Sequence, residues 1–110
     1  MKIENQPSFK SVTLTKTAER AMSKRLASGE FISTCNNFVQ QHKNSKLDII
    51  VSTFNEKSDR LIAFIKHNGR QINYMEESKI TRFLYTPVHF LEKISEQAKA
   101  LESILFRNKV

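Results

Sequence analysis

The 110-residue chain has one cysteine, two glycines, two prolines and no tryptophan. A lone thiol, Cys35, cannot close an intramolecular disulfide, which excludes a framework of paired bridges and fits a reducing compartment. So little glycine and proline excludes a loop-rich or low-complexity chain. No window approaches eighteen apolar residues, so no spanning helix is expected. The opening stretch, Met1 to Ser8, lacks the apolar segment of a secretory signal. The expected location is the cytoplasm, with export through an unrecognised signal left open. Acidic residues are also scarce, 11 against 18 Lys and Arg, for a net charge of +7. Residues 1–46 hold eight Lys and Arg against Glu4, Glu19 and Glu30. Such a balance attracts polyanions, and it equally describes the solvated surface of a small basic protein.

Signatures of catalysis are missing as well. There is no Gly-rich phosphate loop, no nucleophile elbow and no paired-cysteine metal spacing. His42, His67 and His89 are scattered, with no acid or thiol spaced to complete a metal site. Cys35 lies between Phe31 and Phe38 on an apolar stripe, where burial raises a thiol pKa and leaves it inert. Glu76 and Glu77 are neighbours on a strand and so point to opposite faces, not into a dyad. The sequence therefore assigns no catalytic residue, no metal ligand and no cofactor.

What the chain does have is a β-meander. Residues 47–54 alternate, 55–59 form a polar break, 61–65 are apolar, Asn68-Gly69 is a turn, and 71–75 alternate again. Asn-Gly is a strong hairpin signal because a type I′ turn needs positive φ at both central residues. The turn pairs His67 with Arg70, Ile65 with Ile72, and Ala63 with Tyr74. A five-residue loop at 55–59 pairs Phe54 with Arg60 and Val51 with Ala63. The inner face then reads Leu47, Ile49, Val51, Thr53, Leu61, Ala63, Ile65, Ile72 and Tyr74.

Three helices surround it. The first is predicted over Lys16 to Ala27, capped by Thr15 or Thr17, with Gly29 as its C-terminal stop. The second runs from Glu30 to His42, with Phe31, Cys35, Phe38, Val39 and His42 on one face. The third follows Thr86-Pro87 and runs to Phe106, with Leu91, Ile94, Ala98, Leu101 and Leu105 as its stripe and Phe90 and Ile104 widening it. Residues 77–85 read equally as helix or strand. Residues 11–15 suggest a short strand beside one edge of the meander. The expected architecture is α+β: a two-layer sandwich with a three-stranded antiparallel meander, a possible N-terminal edge strand, two N-terminal helices and one long C-terminal helix. Residues 1–10 are expected to be a flexible tail and 11–110 a single domain.

Two surfaces are candidates for binding. On the first helix, Lys16, Arg20 and Lys24 stack at i, i+4, i+8 with Arg25 beside them, a row able to grip phosphates. On the outer sheet face, Phe54 and Phe64 are flanked by Arg60, Lys66, Gln71 and Asn73, as in a stacking platform for unpaired bases. Exposed apolar patches are uncommon on monomers, so a covering helix is the preferred expectation for that face.

The order strand, helix, helix, three strands, helix is similar to that of the RelE/ParE toxins, which are small basic proteins. Residues 13–20, Thr-Leu-Thr-Lys-Thr-Ala-Glu-Arg, resemble their passage from strand to helix. The likeness covers the first two-thirds of the chain and implies ribosome-dependent mRNA cleavage or gyrase inhibition. Arg60, Arg70 and Tyr74 are the residues that could answer the family's sheet Arg and Tyr, though they form no matching motif. Topology alone does not give function. The expectation is therefore a small non-enzymatic macromolecule-binding domain, acting by protein–protein interaction or self-association. A protein partner or a homodimer is preferred to nucleic acid, with no membrane and no small-molecule cofactor. The alternative is a basic RNA-directed toxin-like or RNA-binding module.

Overall fold

A computed structural model describes residues 8–9, 11–78 and 86–106. Its strands are β1 (Ser8–Phe9), β2 (Val12–Leu14), β3 (Asp48–Thr53), β4 (Leu61–His67) and β5 (Arg70–Glu76). Its helices are α1 (Lys16–Arg25), α2 (Ser28–Gln41) and α3 (Pro87–Phe106). The fold is α+β, and the strands lie in the order β1-β2-β3-β4-β5. Within the stretch expected to be a tail, Ser8 and Phe9 pair antiparallel with Thr13 and Val12. Residues 1–7, and residues 79–85 of the ambiguous segment 77–85, lie outside the described residues.

The meander forms as its alternation demands. Val51 faces Ala63, and the Phe54 amide donates to the Arg60 carbonyl at 2.9 Å, so the loop at 55–59 has the expected length. The sheet is not purely antiparallel, however. β2 joins it on the β3 edge and runs parallel to β3, with Val12 beside Ile49 and Leu14 beside Val51. The crossover through α1 and α2 explains the direction, because a helical connection returns the chain to the end from which it left.

The hairpin also departs from the alternating register. Asn68 and Gly69 take positive φ of 54° and 79°, and His67 pairs with Arg70 and Lys66 with Gln71. A bulge then intervenes, so Ile65 faces Asn73, Phe64 faces Tyr74 and Ala63 faces Met75. One extra residue in a strand reverses the facing of everything beyond it. Tyr74, expected inside, is therefore turned outward and is 39% exposed. Asn73 and Met75, expected outside, turn inward: Met75 packs against the core beside Ile72, and the Asn73 amide donates to Gln97 on α3.

The remaining inner face is as its pattern implies. Leu47, Ile49, Val51, Leu61, Ala63 and Ile65 are fully buried and form one cluster with Ala18, Ala21 and Met22 of α1, Phe38 of α2, and Phe90, Leu91, Ile94 and Ala98 of α3. Thr15 caps α1 by accepting from the Ala18 amide. That helix stops at Arg25, because Leu26 turns to extended backbone and buries its side chain. Gly29 is thus not a stop; it lies in the first turn of α2, which begins at Ser28. Thr86 accepts from the Val88 amide at the start of α3. The α3 stripe leaves the core in its last turn, where Ile104 is 61% exposed and Leu105 is also open. Among the described residues, no helix is long and apolar enough to cross a membrane.

Candidate interaction surface

Among the described residues, all three helices share one cluster with the inner face and none of them lies across the outer face. That face is ordered in rows by the strand register. One row reads Thr13, Ile50, Phe64, Tyr74 across four strands. The next reads Ser52, Ile62, Glu76, and on the other side lies Asp48, Lys66, Gln71. Phe54 and Arg60 close the β3–β4 end. Phe64 and Tyr74 are in tilted ring contact at 5.3 Å, and the Arg60 guanidinium stands 5.0 Å from the Phe54 ring centre. Phe54 is 52% exposed and Ile50 and Phe64 are half-buried.

The rim charges are paired in sign. Arg60 donates through Nη2 to Glu76 and through Nε to the Glu77 carbonyl at 2.7 Å. The other oxygen of Glu76 accepts from the Tyr74 hydroxyl at 2.9 Å. Desolvation and then this bond to the Glu76 carboxylate hold the Tyr74 phenol above its ordinary pKa, with Arg60 opposing. It is therefore a hydrogen-bond donor at neutral pH, not a base. At the opposite end of the sheet Lys66 sits across from Asp48.

The basic row of α1 is directed elsewhere. Arg20 donates to the Glu56 carbonyl, Lys24 pairs with Asp59 at 3.3 Å, and Arg25 donates to the Asp59 carbonyl at 3.1 Å. These side chains hold the β3–β4 loop against the helix. Arg25 also grips Glu77 through two parallel bonds of 2.7 Å, with side-chain exposures of 14% and 5%. Glu77 accepts in addition from the Leu61 amide at 3.1 Å. Lys16 stands exposed in the first turn. The structure thus brings Phe54, Arg60 and Phe64 together on one face, puts Lys66 at its far end, and sets Lys16, Arg20, Lys24 and Arg25 on a separate helix. Of the residues that could answer the toxin pattern, Arg60 and Tyr74 meet through Glu76, while Arg70 is at the other end of the β4–β5 hairpin.

Sequence reasoning missed Tyr74, Glu76 and Glu77 as partners. No local signal marks the bulge that turns Tyr74 outward, and the Arg25–Glu77 contact spans 52 positions.

A second polar cluster joins α2 to α3. His42 Nε2 lies 2.8 Å from Ser95 Oγ, and the Ser95 hydroxyl donates to Gln41 Oε1 at 3.1 Å. With its proton given to Gln41, Ser95 accepts from the imidazole. A nucleophilic serine needs the reverse direction, so the trio is a polar bridge. Burial, then the charge of Lys99, lowers the His42 pKa against the opposing Glu102. Burial and the nearby Glu19 push the Cys35 thiol up to about 11. Among the described residues no three His, Cys, Asp or Glu side chains group as metal ligands.

Among the described residues, fold and surface together define a small α+β sandwich with one aromatic-lined sheet face that no helix covers. No family model, curated protein or solved structure matches the chain.

Proposed function

We propose that this protein is a non-enzymatic protein-binding domain that self-associates through the outer face of its sheet. The observation that carries the reading is the make-up of that face. Ile50, Phe64 and Tyr74 form an apolar centre beside the buried Ile62, and the rim holds two cations, Arg60 and Lys66, against two carboxylates, Glu76 and Asp48. An apolar centre with a polar rim is the anatomy of a protein interface. A polyanion would instead favour an excess of positive charge. Each end of the face carries both signs, so a two-fold pair brings no excess of one charge together whichever ends meet. The RNA-directed alternative draws less support here, because Arg60 is already committed to Glu76 and to the Glu77 carbonyl.

Light scattering over a concentration series tests the reading. The expected result is a dimer mass for the wild type and a monomer mass for Phe64→Lys. A wild type that stays monomeric at every concentration, or a Phe64→Lys variant that still dimerises, overturns it.

A further inference from the structure

A further group of cations lies at the β4–β5 hairpin end of the sheet. Three segments meet there: the turn after α2, the Asn68-Gly69 hairpin turn and the last turns of α3. They are tied together by contacts of known geometry. Ser45 Oγ and the Lys46 amide donate to Glu102 at 3.1 and 3.0 Å. The Phe106 ring takes the Lys46 ammonium at 4.9 Å from its centre and the His67 ring edgewise at 5.2 Å. Lys46, Lys99, Ser103 and Phe106, with Glu102, line an open hollow of about 440 Å³. His67, Asn68 and Arg70 line a second. Lys43 precedes Lys46 by three residues in the connection from α2 to β3. Among the described residues, Lys43, Lys46, Arg70 and Lys99 enter no ion pair. Glu102 is the carboxylate among them. Lys66 and Asp48, across from each other nearby, cancel.

We infer that this end is a binding site for the phosphodiester backbone of single-stranded nucleic acid, separate from the sheet face. Four cations against one carboxylate supply the attraction for a polyanion, and each phosphate they neutralise releases a counterion. The hollow is far wider than one phosphate ion needs and is open to solvent, which suits a polymer crossing it rather than a captured small anion. Two rings, His67 and Phe106, separate the hollows. Rings interleaved with cations are the arrangement that single strands use, because every base has a face to stack.

The test is fluorescence anisotropy with a fluorescein-labelled oligouridine 12-mer, titrated at several salt concentrations. Lys46→Glu with Lys99→Glu is the test variant; both positions are exposed, and thermal melting checks that it folds. Lys16→Glu is the control at a distant, equally exposed lysine. The expected result is binding by the wild type that weakens with salt, loss of about tenfold or more in the double variant, and a salt slope smaller by about two. Lys16→Glu should bind within about twofold of wild type. A loss in Lys16→Glu of half the double variant's on the logarithmic scale or more would reduce the effect to net charge, since the control reverses one charge against two, and would overturn the site, as would no binding at low salt. Tighter binding to phosphatidylserine vesicles than to the oligonucleotide, lost in Ile104→Ser, would also overturn it and move this end to a membrane.

Discussion

A guanidinium taken out of water needs its full charge returned by a partner, and Arg25 receives it from Glu77. The two-point geometry satisfies both groups, and the remaining capacity of Glu77 Oε1 goes to the Leu61 amide. Breaking such a pair leaves a charge buried without compensation. Glu77→Gln should therefore lower the unfolding free energy by roughly 3–5 kcal/mol in urea titration. The double variant Arg25→Met with Glu77→Gln should regain part of that loss, since the stranded charge is gone. His42 supplies a pH dependence. Its folded-state pKa lies below the ordinary value of 6.5, mainly through burial. Protonation then favours the unfolded chain. The stability tied to neutral His42 is complete above about pH 6.5 and is lost as pH falls through the lowered folded value. Melting temperature should fall between about pH 7.5 and 5.5, and His42→Gln should flatten that slope. A wild-type melting temperature constant across the interval would contradict the assignment.

Among the elements, the β4–β5 hairpin shows what alternation can and cannot specify. Asn68-Gly69 announces its own turn because few residues accept positive φ, and both take it. Gly69→Ala should cost about 1 kcal/mol in chemical denaturation, since alanine at φ of 79° is strained although its Cβ has open space around it. The pairing of β3 with β4 was equally legible, because shifting it by one residue would turn Ile49, Val51 and Ile65 to solvent together. The bulge near Ile72 was not. Ile72, Tyr74 and Met75 are all apolar, so either facing offers the core something to bury. Asn73 inward costs little, because Gln97 meets it at the periphery. The helices follow the same logic. Phe38, Ile94 and Ala98 stand out by period, whereas the break between α1 and α2 does not, since Leu26 rather than Gly29 makes the bend. In the candidate surface, Phe54, Arg60 and Phe64 were legible as one face. Glu76 and Tyr74 joined them only through the bulge, a choice of register that no neighbouring residue dictates.

At the scale of the whole molecule, one-sided packing decides what is exposed. Periodicity shows that each helix has an apolar stripe but not which side of the sheet receives it, so the expected cover on the outer face could not be tested by pattern alone. Among the described residues α1, α2 and α3 all feed the same cluster, which leaves the row Ile50, Phe64, Tyr74 without helical cover for a partner to meet. If that partner is a second copy, association is linked to folding, and mass action makes the folded state more stable as concentration rises. The wild-type melting temperature should then climb with protein concentration. Tyr74→Lys with Phe64→Lys should abolish the climb while leaving the dilute-limit value nearly unchanged. Tyr74 is 39% exposed, and Phe64 is half-buried and lies outside the helical core. A lysine there can carry its ammonium to solvent along an apolar stem. The comparison separates binding from stability because wild type and variant are each read against their own dilute limit. A concentration-independent wild type would remove the self-association reading, and a variant that melts far lower at every concentration would show that the outer row supports the fold itself.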